Sequence, residues 1–320
     1  MRMGMHAGLQ IVDSAAKRRH DVGMWRCRSK ILFAVWFGFC VLGPYDRFQS
    51  AGAVAADGVA LRVMTFNLRY ASPKPPNSWP ERRPVMRSCI RQIAPDLIGT
   101  QEGLYEQLKD LASDLPDYDW IGLGREGGSR GEFMAVFYLR SRFEPLAYDH
   151  FWLSDTPAVV GSSTWGNTNR RMVTWVRFRE RTSGREFYFW NTHLDNAIEL
   201  ARQKGAALIV ERVNQLKTDL PIILTGDFNS AAGASKAYEI LVQNGGFADT
   251  WQLARERENE KTSTFHGFRK PVEQGERIDW ILTRGSVTVD RTSIVTYSEN
   301  GQAPSDHFPV AAWLILTGAK

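Results

Sequence analysis

Four short apolar runs of this chain close on a residue that could bind a metal or move a proton. LRVMTFN ends at Asn67, DLIGTQE at Glu102, FYFWNTH at His193 and PIILTGDFN at Asp227 and Asn229. A fifth run, DWIL, opens on Asp279, and Ser305-Asp306-His307 stands just ahead of a sixth. Runs of this kind read as buried strands, and rigid scaffolds carry chemistry in the loops at strand ends. Carboxylates and amides offer the oxygen donors that Mg²⁺ takes. Imidazoles titrate near neutrality and serve as general acids or bases. Together they are what a divalent metal and a phosphate ester would need.

Each residue also has a plainer use. Glu102 could ligate metal or sit in the first turn of the next helix, where an acid is favoured. Asn67 could assist it or simply form a turn. Asp227 could orient or deprotonate a water, with Asn229 donating to that water or to a phosphate oxygen; an Asx turn would use the same two residues. Gly226 just ahead of them lets backbone come close to a ligand. His193 could be catalytic or a satisfied structural histidine, and Asp195 could orient it or cap the following helix. Asp279 could reach His307 and fix its tautomer, as carboxylates do in catalytic triads, with Ser305 donating to the same cluster. Arg170 and Arg171 could clamp a phosphate bidentately or be solvated loop arginines. Trp79 and Trp165 could stack on bases or be buried or rim tryptophans. His266 is a further rim candidate. No single dipeptide here is specific; the ordered set, each member at an apolar strand end, is.

The elements that would position this set alternate. Strands are expected over Leu61–Asn67 and Leu97–Gln101, each followed by a helix; the first starts at Ser78-Trp79-Pro80-Glu81 and the second covers Leu104–Leu115. A strand-rich centre follows over 133–139, 143–151, 173–178 and 187–192. A long helix, capped by Asp195 or Asn196, precedes strand Ile222–Asp227. A helix near 234–243 and strands at 279–283, 287–296 and 310–316 complete the chain. The order predicts an α/β (α+β) fold with two mixed sheets packed between outer helices.

The first 55 residues read as an address and not as fold. Trp25-Arg26-Cys27-Arg28-Ser29-Lys30 is basic, Ile31 to Gly43 is apolar, and Ala53-Val54-Ala55 fits a small-residue cleavage site. That order predicts a secretory signal, with export to the periplasm or beyond and a single domain over 56–320. Met24 is the alternative start, and an uncleaved anchor the alternative reading. Residues 1–55 hold eight of the 40 basic and three of the 35 acidic side chains, which leaves 32 of each. The whole-chain charge of +5 therefore says nothing about nucleic-acid binding by the remainder. Cys27 and Cys40 also lie there, so Cys89 stands alone and an internal disulfide is excluded.

These motifs make the chain resemble the endonuclease/exonuclease/phosphatase superfamily, the DNase I-like fold. The resemblance runs from about Leu61 to Leu316 and rests on TFN at 65–67, QE at 101–102, THLD at 192–195, GDFN at 226–229, IDW at 278–280 and SDH at 305–307. It implies a four-layer αββα sandwich. It implies Mg²⁺, or Mn²⁺ in its place, on Glu102 with Asn67 and Asp306 nearby. Asp227 and Asn229 would activate water and hold phosphate, His307 oriented by Asp279 would meet the scissile phosphate, and His193 would be the second catalytic histidine. SWPERR at 78–83, GEFMAVFY at 131–138, FWLSDTP at 151–157 and RRMVTW at 170–175 are similar to an exported bacterial group related to CCR4/nocturnin-like exonucleases. The implied activity is metal-dependent phosphodiester hydrolysis, first as a 3′–5′ exonuclease-like nuclease. The alternative is a phosphatase or phosphodiesterase of small-molecule or lipid-headgroup phosphates. The expected partners are nucleic acid or a small phosphate ester; no stable protein partner is implied, and a monomer is expected.

Overall fold

A computed structural model describes residues 58–317 except Val272. The expected signal segment and its cleavage site lie outside the described residues. Among those described, no helix is long and apolar enough to cross a membrane.

The first half runs β1 (Val59–Asn67), α1 (Trp79–Ile93), β2 (Leu97–Gln101), α2 (Tyr105–Asp114), β3 (Tyr118–Ile121), β4 (Val136–Leu139), β5 (Phe143–Trp152), β6 (Met172–Glu180) and β7 (Glu186–His193). The second half runs α3 (Glu199–Gln215), β8 (Ile222–Asp227), α4 (Lys236–Tyr238) continuing into a π turn (Glu239–Gln243), β9 (Ala248–Asp249), α5 (Thr250–Leu253), β10 (Glu256–Glu258), β11 (Asp279–Arg284), β12 (Val287–Ile294) and β13 (Val310–Leu316). One sheet has the order β10-β12-β13-β1-β2-β4-β3, the other β5-β6-β7-β8-β11-β9. Both are mixed: β1 and β2 are parallel, as are β7 and β8, while β1–β13 and β8–β11 are antiparallel.

Alternation explains how the layers meet. Leu61 and Val63 of β1, Leu97 of β2 and Leu314 of β13 point inward and join Phe187 and Phe189 of β7, Ile223 of β8 and Ile281 of β11 in one core between the sheets. Met64 and Phe66, on the opposite face of β1, are buried too. Strands covered on both faces read as near-continuous apolar runs, which is why they stood out in the sequence. On the outer side of the second sheet, Ala206, Ile209 and Val213 of α3 pack with Trp190, Leu224 and Trp280. The α1 helix starts as expected: the Glu81 carboxylate accepts from both the backbone N–H and the hydroxyl of Ser78, each at 2.7 Å. Its apolar face, Met86, Cys89, Ile90 and Ile93, is buried.

Just beneath the site the sheets come unusually close. Gln101 Nε2 donates to Asn191 Oδ1 at 2.7 Å, and Asn191 Nδ2 donates to the carbonyls of Thr100 and Ala135. A Cβ on Gly99 would stand 2.0 Å from Thr225 Oγ1, so only glycine allows this approach. Gly226 has a similar cause. A Cβ there would lie 2.7 Å from the Thr192 carbonyl oxygen, so the residue serves the packing of β7 on β8, where the sequence suggested approach to a ligand. Asp195 does not cap α3. Its Oδ1 accepts from the N–H groups of Ala197 and Ile198, in the turn before the helix.

Candidate active site

Sheet register builds the centre of the site. His193 pairs with Asp227 across the parallel β7–β8 ladder, and Asp227 pairs with Asp279 across the antiparallel β8–β11 ladder. Residues directly opposite share a face, so three chemistry-bearing side chains stand abreast. His307 enters from the loop before β13. Its Nδ1 lies 2.9 Å from Asp279 Oδ2, and its Nε2 lies 3.8 Å from Asp227 Oδ2. Ser305 secures that loop: its hydroxyl donates to the Asn67 carbonyl at 2.7 Å and accepts from the His307 N–H at 3.3 Å. On the other side of Asp227, Oδ2 is 3.3 Å from His193 Nε2. Asn229 completes the group. Its N–H donates to Asp227 Oδ1 at 2.9 Å, and its side-chain amide donates to His193 Nε2 at 3.0 Å and to the Leu194 carbonyl at 3.1 Å.

Burial and neighbouring charge together set the protonation of this group. Burial alone would push the His307 imidazole down, but the Asp279 and Asp227 carboxylates outweigh it and hold the ring protonated above neutrality. His193 goes the other way: burial, with the charges of Arg171 and His307 added, keeps it neutral. Asp227 is pushed up by burial and by the like charge of Asp279, against the pull of His307. Divergent shifts on adjacent groups are a mark of acid–base sites.

The carboxylate side adjoins it. Glu102 follows β2 in a left-handed backbone conformation, φ 62°. Its Oε1 accepts from Asn67 Nδ2 at 3.2 Å and its Oε2 from the Tyr70 N–H at 3.2 Å. Asn67 Nδ2 also donates to Asp227 Oδ2 at 2.9 Å, so one amide links the two halves of the site. Asn67 Oδ1 accepts from the Arg69 N–H at 2.9 Å. The Arg69 guanidinium lies beside both Glu102 and Asp306, its Nη1 3.7 Å from Glu102 Oε2 and its Nε 3.6 Å from Asp306 Oδ2. Burial raises the Asp306 carboxyl, and the Glu102 charge adds to the rise, while His307 and Arg69 oppose it.

Two carboxylates that flank one guanidinium offer an oxygen-only donor set, which suits a hard divalent cation. Asp227, Asp279 and His307 also bring ligand atoms within 4.8 Å of one another. There, however, the imidazole Nδ1 is taken up by Asp279, and Asp227 already accepts from Asn67 and Asn229. That trio is arranged as a hydrogen-bonded relay; the Glu102–Asp306 pair suits a cation better.

The two halves line a pocket of about 510 Å³. Arg171 is in its wall, 3% exposed. Its Nη2 donates to Asn196 Oδ1 at 3.0 Å, while Nε, 3.6 Å from Asp195 Oδ2, and Nη1 reach no hydrogen-bond acceptor. Arg170 is not in the wall; its Nε donates to the Gly161 carbonyl. Nor are the two tryptophans. Trp79 Nε1 donates to Asp110 and Trp165 Nε1 to Asp155. His266 stacks on Phe308, with ring centroids 4.2 Å apart, and borders a separate cavity.

Several wall residues had no signal in the sequence. Arg69, Asn169 and Asn196 lie in loops, and Arg125 forms a 2.5 Å ion pair with Glu132 inside the pocket. Arg82 lies beneath. It is fully buried, and all five of its N–H groups meet carbonyls, those of Asn77, Leu68, Pro304, Arg69 and Tyr70. One guanidinium thus fastens the loop after β1 to the loop that carries Asp306. The SWPERR motif contained this residue but gave no hint of its burial.

The comparisons with known proteins agree with this architecture. An endonuclease/exonuclease/phosphatase family protein of Bacteroides thetaiotaomicron is 34% identical, with a TM-score of 0.76, over 82% of this chain and 99% of that one. A mannosyl-6-phosphatase from the same organism is 35% identical, with a TM-score of 0.75, over 79% and 99%. The human nocturnin catalytic domain with bound sulfate shares the fold, at 18% identity and a TM-score of 0.63 over 82% and 98%. Uncharacterized protein L388 of Acanthamoeba polyphaga mimivirus is 32% identical over 161 residues, 48% of this chain and 59% of that protein. The chain thus spans little more than half of that relative. Residues 64–307 match the Endonuclease/Exonuclease/phosphatase family as a whole. The αββα sandwich, the acidic and imidazole groups at its strand ends and this match make the chain a member of that family, hydrolases that act on phosphate esters.

Proposed function

We propose that this protein is a divalent-metal-dependent phosphoesterase whose substrate is a small phosphate ester of a hydroxyl-rich molecule such as a sugar. The observation that carries the reading is the composition of the pocket wall beyond the catalytic group. Arg125 with Glu132, Arg171, Asn169 and Asn196 supply both donors and acceptors, which suit hydroxyls. A carboxylate in the wall is unfavourable for a polyanion, and the two tryptophans that could have stacked bases lie outside the pocket. Similarity to a mannosyl-6-phosphatase supports the same choice. The nuclease reading has its own support. Phe265 and Tyr70, 46% and 38% exposed, flank the pocket and offer ring faces to a base.

The chain's own groups would share the work as follows. Glu102 and Asp306 would hold the cation, with Asn67 bridging Glu102 to Asp227. The cation, when bound, supplies charge neutralisation at the phosphoryl oxygens. Asp227, anchored by the Asn229 N–H, orients the attacking water and takes its proton. The water oxygen bonds to phosphorus as the ester P–O bond breaks, and the leaving alkoxide needs one proton, the number the water released. Protonated His307, fixed by Asp279, donates to a phosphoryl oxygen. Neutral His193 and Asn229 hold the adjacent side, and the buried Arg171 guanidinium adds positive charge to the wall there.

The test is a substrate panel with purified protein in Mg²⁺, in Mn²⁺ and in EDTA, with Asp227→Ala as the blank. It contains sugar 6-phosphates, other phosphate monoesters and diesters, and end-labelled RNA and DNA. Metal-dependent phosphate release from sugar phosphates, absent in the blank, is the expected result. Laddering of a nucleic acid from one end, with small esters untouched, would replace this reading with the nuclease.

A further inference from the structure

Arg69 holds a place that a cation would also claim. Its Nη1 is 3.7 Å from Glu102 Oε2 and its Nε is 3.6 Å from Asp306 Oδ2. Both distances exceed hydrogen-bond length, so the guanidinium pairs with the carboxylates by charge alone. Its other contacts hold it at the pocket mouth. The guanidinium carbon stands 4.1 Å from the Tyr70 ring centroid, and Nη2 donates to the Tyr70 hydroxyl at 3.3 Å. The backbone is fixed more firmly. The Arg69 N–H donates to Asn67 Oδ1, its carbonyl accepts from Arg82 and Gln107, and its φ is 52°. A left-handed arginine is costly and persists where its surroundings over-determine it. The side chain is 36% exposed, so it has room to turn while the backbone stays.

Two positive groups cannot share two carboxylates without opposing each other. We propose that Arg69 is the resident counter-ion of the Glu102–Asp306 pair, that it competes there with the divalent cation, and that once displaced it binds the substrate's phosphate. Tyr70 keeps the displaced guanidinium at the mouth, where its planar fork matches a phosphate's oxygens. The arrangement couples the two ligands: metal binding releases an anion-binding group, and a phosphate that engages it lowers the cost of metal binding. The inference rests on the reading of Glu102 and Asp306 as the cation pair.

Calorimetric titration of the full chain tests this without turnover. Mn²⁺ is titrated into wild type, Arg69→Gln, Arg69→Lys and Glu102→Gln, and inorganic phosphate is then titrated at saturating Mn²⁺. Arg69→Gln is expected to bind Mn²⁺ about ten-fold tighter and phosphate about ten-fold weaker. Arg69→Lys keeps the charge and loses the fork; its Mn²⁺ affinity stays near wild type while its phosphate affinity falls. Mn²⁺ affinity unchanged or weakened in Arg69→Gln would overturn the proposal. If wild type binds Mn²⁺ just as Glu102→Gln does, the cation reading falls and this inference with it. Matching thermal melts of the variants exclude a folding defect.

Discussion

His193 and His307 present their Nε2 atoms to the same oxygen, Asp227 Oδ2, from 3.3 and 3.8 Å. Their second nitrogens explain why they differ. His307 Nδ1 rests on Asp279, whereas His193 Nδ1 is buried with no partner. The first ring is therefore held as a cation and the second as a neutral group. Loss of the charged donor to the phosphoryl group costs more than loss of the neutral ring, whose Nε2 accepts from Asn229 and positions that amide. His193→Ala is expected to lower kcat/KM by about 10²–10³-fold, and His307→Ala and Asp227→Ala by more, measured on the best ester of the panel. A folded His307→Ala protein with near-normal turnover would refute the assignment.

Asp279→Asn should act through pH. Burial lowers the His307 imidazole and the Asp279 charge raises it. Removal of that charge lets the ring lose its proton at lower pH, so the alkaline limb of the kcat/KM profile moves toward neutrality. A profile that loses height but keeps its limbs would mean that Asp279 orients the ring without holding its charge.

The residues legible in the sequence share one property. Asn67, Glu102, His193 and Asp227 terminate apolar strands, and parallel neighbours in a sheet bring such ends together automatically; Asn67 pairs with Gln101 and His193 with Asp227. Fold class and the centre of the site were therefore both within reach of pattern. The pocket wall was not, because nothing periodic distinguishes a loop arginine that faces a ligand from one that faces water. Arg170 and Arg171 are adjacent, yet the first is bound to the Gly161 carbonyl and the second is buried in the wall. Short strands were missed for a related reason: β9 spans two residues and β10 three, too few to show alternation.

Arg82 is the strongest case of a hidden determinant. Lysine has three donors and no fork, so Arg82→Lys leaves at least two of the five carbonyls unsatisfied. Hydrogen bonds from a charged donor are worth about 1.5–3 kcal/mol each, so the variant is expected to lose about 3 kcal/mol or more in urea unfolding. A loss below about 1 kcal/mol would mean that water replaces the guanidinium and that it does not bind the two loops together.

Glu102 separates function from stability. Its φ of 62° suits glycine. Glu102→Ala and Glu102→Gly both remove the carboxylate and are both expected to be inactive. The glycine variant should be more stable than the alanine variant by about 1 kcal/mol, because the left-handed conformation costs an L-residue about that much. Equal unfolding midpoints would show that the loop relaxes out of this conformation once the carboxylate is gone.

His266 gives the pH dependence of stability a defined sign. Burial, with the His307 charge adding to it, pushes its pKa from the ordinary 6.5 down to about 4. The unfolded chain therefore takes up a proton at this position between pH 6.5 and 4 while the folded chain does not. Stability from this residue is complete above pH 6.5, falls steadily as pH drops toward 4, and changes no further below that. The raised carboxyls of Asp227 and Asp306 act in the opposite direction, so the slope of wild type alone is not diagnostic. The difference between wild type and His266→Gln isolates the term, since the glutamine cannot titrate. Urea midpoints taken at intervals from pH 7.5 to 4.5 should show the wild type losing ground to the variant as the medium becomes more acid. A constant difference would mean that His266 protonates in place, with a carbonyl or water close enough to Nε2 to accept the new hydrogen bond.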